Sequence, residues 1–379
     1  MNDEIVFSNC NIVLPDRVMQ GSVLIRDGHI EDISAGHFAS GEDFEGDYLI
    51  PGCVELHTDH LETHFQPRPK VRWNMDAALQ AHDGQITTAG ITTVFDALRV
   101  GLDGDTELSS PDILAMAATI SAAHAGKRLR AEHFIHMRCE VSVSDVVDHF
   151  DAMKTNDRIR LASLMDHAPG QRQFVNLEAH RIYYQGKKKM SDEEFFAFRE
   201  RRIAESTANS PRNRRIIAER CHQQSIAIAS HDDATAEHVA EGVELGVALA
   251  EFPTTVEAAL LSRQAGLQVL MGAPNVVRGG SHSGNVSALE LLEHGALDIL
   301  SSDYVPFSLL QAVFLMAETG VLDLPAAVRL VSDNPARAAK LDDRGRIEVG
   351  RRADLVRVRA EAGLPPQVAG VWREGRRVA

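Results

Sequence analysis

The stretch Pro51-Gly52-Cys53-Val54-Glu55-Leu56-His57-Thr58-Asp59 decides the fold. It reads as a short apolar strand that ends in a His-x-Asp pair. Residues two apart on a strand point the same way, so an imidazole and a carboxylate converge at its tip. Two ligands of one divalent metal ion would be arranged like this. Alone the signal is weak, but it recurs. Met137-Arg138-Cys139-Glu140, Leu164-Met165-Asp166-His167, Ile228-Ala229-Ser230-His231-Asp232 and Leu300-Ser301-Ser302-Asp303 each close an apolar run with a ligand-type residue.

Outward from this stretch, apolar strand-like runs alternate with helix-compatible ones. The strands fall at 51–57, 91–97, 130–138, 158–166, 225–230, 246–252, 267–272 and 297–302. That alternation argues for a parallel sheet of βα units. Eight strands close a (β/α)8 TIM-like barrel, whose active sites lie at the C-terminal strand ends. The ligand-type residues fall at those ends.

The flanks read differently. Ile5-Val6-Phe7, Ile12-Val13-Leu14, Ser22-Val23-Leu24-Ile25 and His29-Ile30-Glu31-Asp32-Ile33 are short strands between turn residues. Arg346-Ile347-Glu348-Val349, Ala353-Asp354-Leu355-Val356-Arg357-Val358 and Val368-Ala369-Gly370-Val371-Trp372 match them at the other end. The expected organisation is an α/β barrel over 51–340, with a small β-sandwich formed by both termini, 1–50 and 341–379. Between strands four and five the spacing is too long for a plain βα unit. Residues 168–215 hold Tyr183-Tyr184-Gln185-Gly186-Lys187-Lys188-Lys189 and a charged helix from about Ser191 to Asn209, opened by a capping box of Ser191 and Glu194. This insertion is either a solvated surface helix or a lid over the site.

With 379 residues the chain can bury a large core. Its net charge of -15 argues against nucleic acid and against anionic membranes as partners. No apolar run reaches the length of about 18 residues that a spanning helix needs. Met1-Asn2-Asp3-Glu4 is acidic where a signal peptide would be basic. The four cysteines, Cys10, Cys53, Cys139 and Cys221, form no Cys-x-x-Cys, so a reduced, cytoplasmic protein is expected.

His57 and Asp59 are the first candidate metal ligands. Glu140 could bridge two ions, and His167 and His231 add imidazoles. Asp303 suits a ligand that also takes the proton from the attacking water. A divalent ion lowers the pKa of bound water to about 7. One or two ions are expected, zinc first, with manganese or iron as alternatives for such nitrogen and oxygen donors. The run from Gly272 to Asn285 is glycine-rich and precedes a helix-like stretch, a setting that suits phosphate. Arg278, Ser281 and His282 lie in it. Arg68 and Arg72, close after the His-x-Asp pair, add positive charge for an anionic substrate.

Pro51-Gly52 leading to His57, Asp303, Asn334-Pro335-Ala336 and Gly350 followed by Ala353-Asp354-Leu355-Val356 resemble the amidohydrolase superfamily. Gly90-Ile91-Thr92-Thr93-Val94-Phe95-Asp96-Ala97, Met165-Asp166-His167-Ala168-Pro169-Gly170-Gln171-Arg172-Gln173-Phe174 and Gly272 through Asn285 resemble its phosphonate-catabolism branch more specifically. The resemblance implies a metal-dependent diphosphatase. Its substrate would be α-D-ribose 1-methylphosphonate 5-triphosphate, a small ribosyl triphosphate, cleaved to the 5-phosphate and pyrophosphate. The chain departs from the commoner superfamily pattern in carrying His-x-Asp on strand one and no lysine at the end of strand four. It also lacks a histidine at the end of strand six, where Glu251 or His282 is the expected substitute. A hydrolase of an amide or cyclic C–N bond is the alternative reading, and a barrel that lost its metals to become an assembly protein is the third. A homo-oligomer is compatible with all three.

Overall fold

The computed structural model describes residues 4–36, 40–101, 108–169, 172, 191–281 and 284–379. Eight parallel strands pair in chain order: Cys53–Thr58, Ile91–Val100, Glu132–Glu140, Ile159–Met165, Ala227–His231, Leu249–Glu251, Gln268–Gly272 and Ile299–Ser301. Each matches an expected strand. Alternate side chains go inward and outward. Val54, Leu56, Phe95, Phe134, Leu161, Ala229, Leu249, Leu270 and Ile299 form the apolar interior. The larger outer core lies against helices such as Met75–Thr88 and Ser110–Ala125.

Between the eighth and first strands the described residues show no ladder pairing. A buried carboxylate closes the seam instead. Glu55 Oε1 accepts from the His57 backbone N–H at 2.6 Å and from Ser301 Oγ at 2.5 Å. Its Oε2 accepts from the Ser302 N–H at 2.5 Å.

The terminal segments build one further sheet. Tyr48–Pro51 joins its halves, running parallel to Glu4–Val13 and antiparallel to Leu355–Arg359. The sheet curls over a core in which the Phe7 ring lies 4.8 Å from Phe44 and 4.6 Å from Trp372. The two expected strands at 5–7 and 12–14 are one strand, Glu4–Val13, with a register shift between Phe7 and Cys10 and Asn9 at φ 55°. A β-bulge of this kind interrupts the pattern but not the strand. Arg346-Ile347-Glu348-Val349, expected as a strand, is a loop; Ile347 is buried, and the next residues bond to the turn at 28–30, through Gly350 N–H to Ile30 O at 2.7 Å. Glu132, at the base of the third barrel strand, ties this segment to the barrel. Its Oε2 accepts from Arg344 and Arg352, each at 2.7 Å.

The capping box is present, with Ser191 N–H to Glu194 Oε2 at 2.8 Å and Glu194 N–H to Ser191 Oγ at 3.2 Å. The helix it opens, Asp192–Gln224, runs 33 residues and passes through Pro211, so it outlasts the expected end near Asn209. Proline removes one donor and ordinarily ends a helix. Here buried polar contacts hold both sides of it: Ser206 and Ser210 each donate to Asp166 Oδ2 at 2.7 Å, and Asn213 donates to Val141 O at 2.9 Å. This helix lies across the loops after strands three and four. Residues 170–171 and 173–190 of the insertion are outside the described residues.

Candidate active site at the barrel mouth

The strand ends bring most of the candidate ligands to one place. His57 is buried, and its ring lies 4.9 Å from His136 and 5.6 Å from His231. Glu251, at the end of strand six, sits between these imidazoles. Its Oε1 is 3.2 Å from His57 Nδ1 and its Oε2 3.2 Å from His231 Nδ1. Ser163 Oγ donates to Glu251 Oε2 at 2.6 Å. His136 Nδ1 bonds the Leu56 carbonyl at 2.9 Å, which places the proton on that nitrogen. Its Nε2 faces Ser163 Oγ.

One layer nearer solvent, His167 Nδ1 is 2.6 Å from Glu140 Oε2, and its ring lies 5.6 Å from His231. Glu140 also accepts from Ser142 at 2.6 Å and from Arg202 of the long helix at 3.4 Å. Asp59 follows its strand and pairs with Arg138 Nη1 at 3.0 Å. Asp232, Phe252 and Asp303 follow strands five, six and eight with φ between 53° and 57°. A left-handed backbone is tolerable for aspartate but strained for phenylalanine. It turns the chain sharply at the rim, and Phe252 packs its ring 5.1 Å from His57 and 5.3 Å from His231.

Burial drives the electrostatics. It lowers the His231 pKa to about 3, so this imidazole is neutral and has a lone pair to offer. It likewise lowers His136 to about 4. Burial also opposes a charged Glu140, but His167 and Arg202 outweigh it and hold that carboxylate at about 2. Burial, with Asp59 nearby, raises Asp303 to about 6, and burial raises Asp232 to about 7.

Two triads at this mouth, His57–His136–Glu251 and His167–His231–Asp232, have ligand-type atoms within 4.8 Å of one another. Within them, His57 Nδ1 and Glu251 Oε1 face each other at 3.2 Å, and Asp232 Oδ2 lies 3.4 Å from His231 Nε2, yet none of the three buried atoms makes a hydrogen bond of good geometry among the described residues. Buried polar atoms are nearly always satisfied. Nitrogen and oxygen donors that converge and remain unsatisfied are what a divalent cation needs, so the residues fit such an ion.

The candidate anion-binding residues lie farther out. Arg68, Arg72 and Arg278 are exposed, with Arg72 Nη2 2.8 Å from Asp112 Oδ2. Arg278 ends the six-residue helix Ala273–Arg278, which Gly279 terminates at φ 76°. Ser281 is half-buried, and His282 falls outside the described residues. The candidate residues read from the sequence did not include His136, Asp232, Arg99 or Arg138, although Arg138 and Asp232 stand in the runs that end at Glu140 and beside His231. His136, Arg138 and Glu140 alternate along one strand, and that period of two was the available signal.

Comparison with known proteins agrees with this geometry. A family model described as the amidohydrolase family matches residues 193–379. The fold recurs in the structure of ochratoxinase from A. niger (TM-score 0.66, 12% identity, covering 100% of this chain and 96% of that one). It recurs also in N-acetylglucosamine-6-phosphate deacetylase from Pasteurella multocida (TM-score 0.65, 13% identity, 99% of each chain). The chain belongs to the amidohydrolase superfamily and, within it, is a hydrolase of the diphosphatase branch. The particular relative is the alpha-D-ribose 1-methylphosphonate 5-triphosphate diphosphatase of Escherichia coli (strain K12). It is 45% identical over 379 residues, covering 98% of this chain and all of that protein.

Proposed function

We propose that this chain hydrolyses α-D-ribose 1-methylphosphonate 5-triphosphate to the 5-phosphate and pyrophosphate, in the cytoplasm, with one or two divalent ions. The observation that carries the reading is the 45% identity over nearly the whole chain with a protein of that name. His57, Glu251 and His231 would hold an ion. Asp59, Glu140, His167 and Asp303 complete the candidate donor set, and zinc, manganese and iron all suit it. When bound, a divalent cation supplies a Lewis acid for phosphoryl oxygens and lowers the pKa of water to about 7.

The chain's own residues do the rest. Water oxygen bonds to phosphorus, one P–O–P bridge breaks, and pyrophosphate leaves with the bridging oxygen. Asp303, at the rim beside Asp59, accepts the proton of the attacking water. His136 and Ser163 orient Glu251, and Arg138 orients Asp59. Arg68, Arg72, Arg278, Ser281 and His282 are the outer phosphate-binding candidates. Phosphorus NMR on the metal-loaded protein with the ribosyl triphosphate tests the assignment. Pyrophosphate and the 5-phosphate are the expected products; orthophosphate release alone, or no turnover beside hydrolysis of an amide substrate, would refute it.

A further inference from the structure

The second and third barrel strands pair in parallel with Arg99 opposite Arg138. Neighbouring strands are about 4.8 Å apart and paired residues project to the same face, so two guanidinium groups stand side by side. Like charges this close are unfavourable without anions to offset them. Three carboxylates partly do so. Arg138 Nη1 is 3.0 Å from Asp59, and Arg99 and Arg138 both act electrostatically on Asp59 and Glu62. Glu140 stands two residues beyond Arg138 on the same face.

Arg138 nevertheless has a donor to spare. Its side chain is 12% exposed, and its Nε is buried with no hydrogen-bond partner among the described residues. An aligned donor in that position invites an oxygen ligand. Arg99, Arg138, Glu140, Met165 and His167 line one narrow cleft of about 10 Å³, room for a single phosphate oxygen. The strand that carries Arg138 also carries His136, which lies 3.8 Å from Glu251. A ligand reaching from the donor cluster toward solvent along this strand therefore meets the arginines next.

We propose that Arg138, with Arg99 beside it, forms the subsite that grips the diphosphate end of the substrate. This rests on the polyphosphate reading above and names the part of the site that selects for it. Guanidinium groups suit the role because their planar fork matches two phosphate oxygens at once.

The test uses Arg99→Ala, Arg138→Ala and Arg138→Lys as purified, with metal content measured on each. The readouts are KM for the ribosyl triphosphate and inhibition by inorganic tripolyphosphate. Losing a charge-assisted hydrogen bond should raise both constants roughly ten- to hundredfold at unchanged metal content. Arg138→Lys keeps a charge near Asp59 but lacks the fork, so at the same metal content it should recover tripolyphosphate affinity only in part. Unchanged inhibition in Arg99→Ala and Arg138→Lys would overturn the proposal. So would affinity that falls only where metal is lost, since a residue that merely holds Asp59 would behave that way. If the wild type binds tripolyphosphate through these arginines yet releases no pyrophosphate from the ribosyl compound, the subsite stands and the substrate assignment falls.

Discussion

Asp303 sits at the end of the eighth strand, largely dehydrated and close to the like charge of Asp59. Such a position is unfavourable for a carboxylate unless it serves the reaction. Asp303→Asn removes the proton acceptor without removing core volume. Turnover should fall by about two to four orders of magnitude, while the melting temperature stays level or rises. Steady-state kinetics beside calorimetry would check this, and a variant within about tenfold of wild-type turnover would contradict the role. If Arg278 binds phosphate in the ground state as proposed, Arg278→Ala should raise KM with little change in kcat. At this scale the strand-end positions of His57 and His231 were legible because each ends an apolar run; Asp59 and Asp303, read the same way, stand outside both triads at the mouth. Glu55 was not legible, because nothing in a strand's pattern says that its carboxylate will bridge to residues 301 and 302, far along the chain.

The elements make two further predictions. The seam between strands one and eight depends on Glu55, which satisfies three buried donors. An unsatisfied buried donor costs about 1–3 kcal/mol. Glu55→Ala should therefore lose at least ~3 kcal/mol in denaturant unfolding, and a variant as stable as wild type would show that the seam closes without it. The second prediction concerns the layer between helix Met75–Thr88 and strands two and three. There His133 is 2.7 Å from Asp96 and 3.2 Å from Asp83. Burial disfavours the imidazolium, but the two aspartates outweigh it and raise the pKa to about 9. That is above the unfolded value of about 6.5. The stabilisation is therefore complete below about pH 6.5 and is lost as pH rises through 9. Thermal unfolding between pH 6.5 and 9 should show a steeper decline for wild type than for His133→Gln; parallel curves would argue that His133 is neutral throughout. Element existence was readable from period, and all eight barrel strands appeared where expected. Continuity was harder to read. The bulge at Asn9 made one strand resemble two, and Pro211 made one helix resemble a shorter one, because tertiary contacts outvoted local signals there.

Across the whole molecule, a parallel barrel gathers residues from seven strands at one rim, while both termini combine in a separate sheet anchored at Glu132. The resemblance of scattered motifs was enough to expect this plan. The inner architecture of the mouth needed coordinates, since the Arg99–Arg138 pairing and the bridging place of Glu251 depend on strand register and not on spacing. The central claim is that the converging, unsatisfied donors around Glu251 hold a divalent ion. Elemental analysis of protein purified without chelator, alongside Glu251→Ala, tests it most directly. At least one equivalent of a transition metal per wild-type chain, and its loss in the variant, is the predicted result. A metal-free wild type that still releases pyrophosphate, or a Glu251→Ala chain that keeps its full complement, would contradict the account.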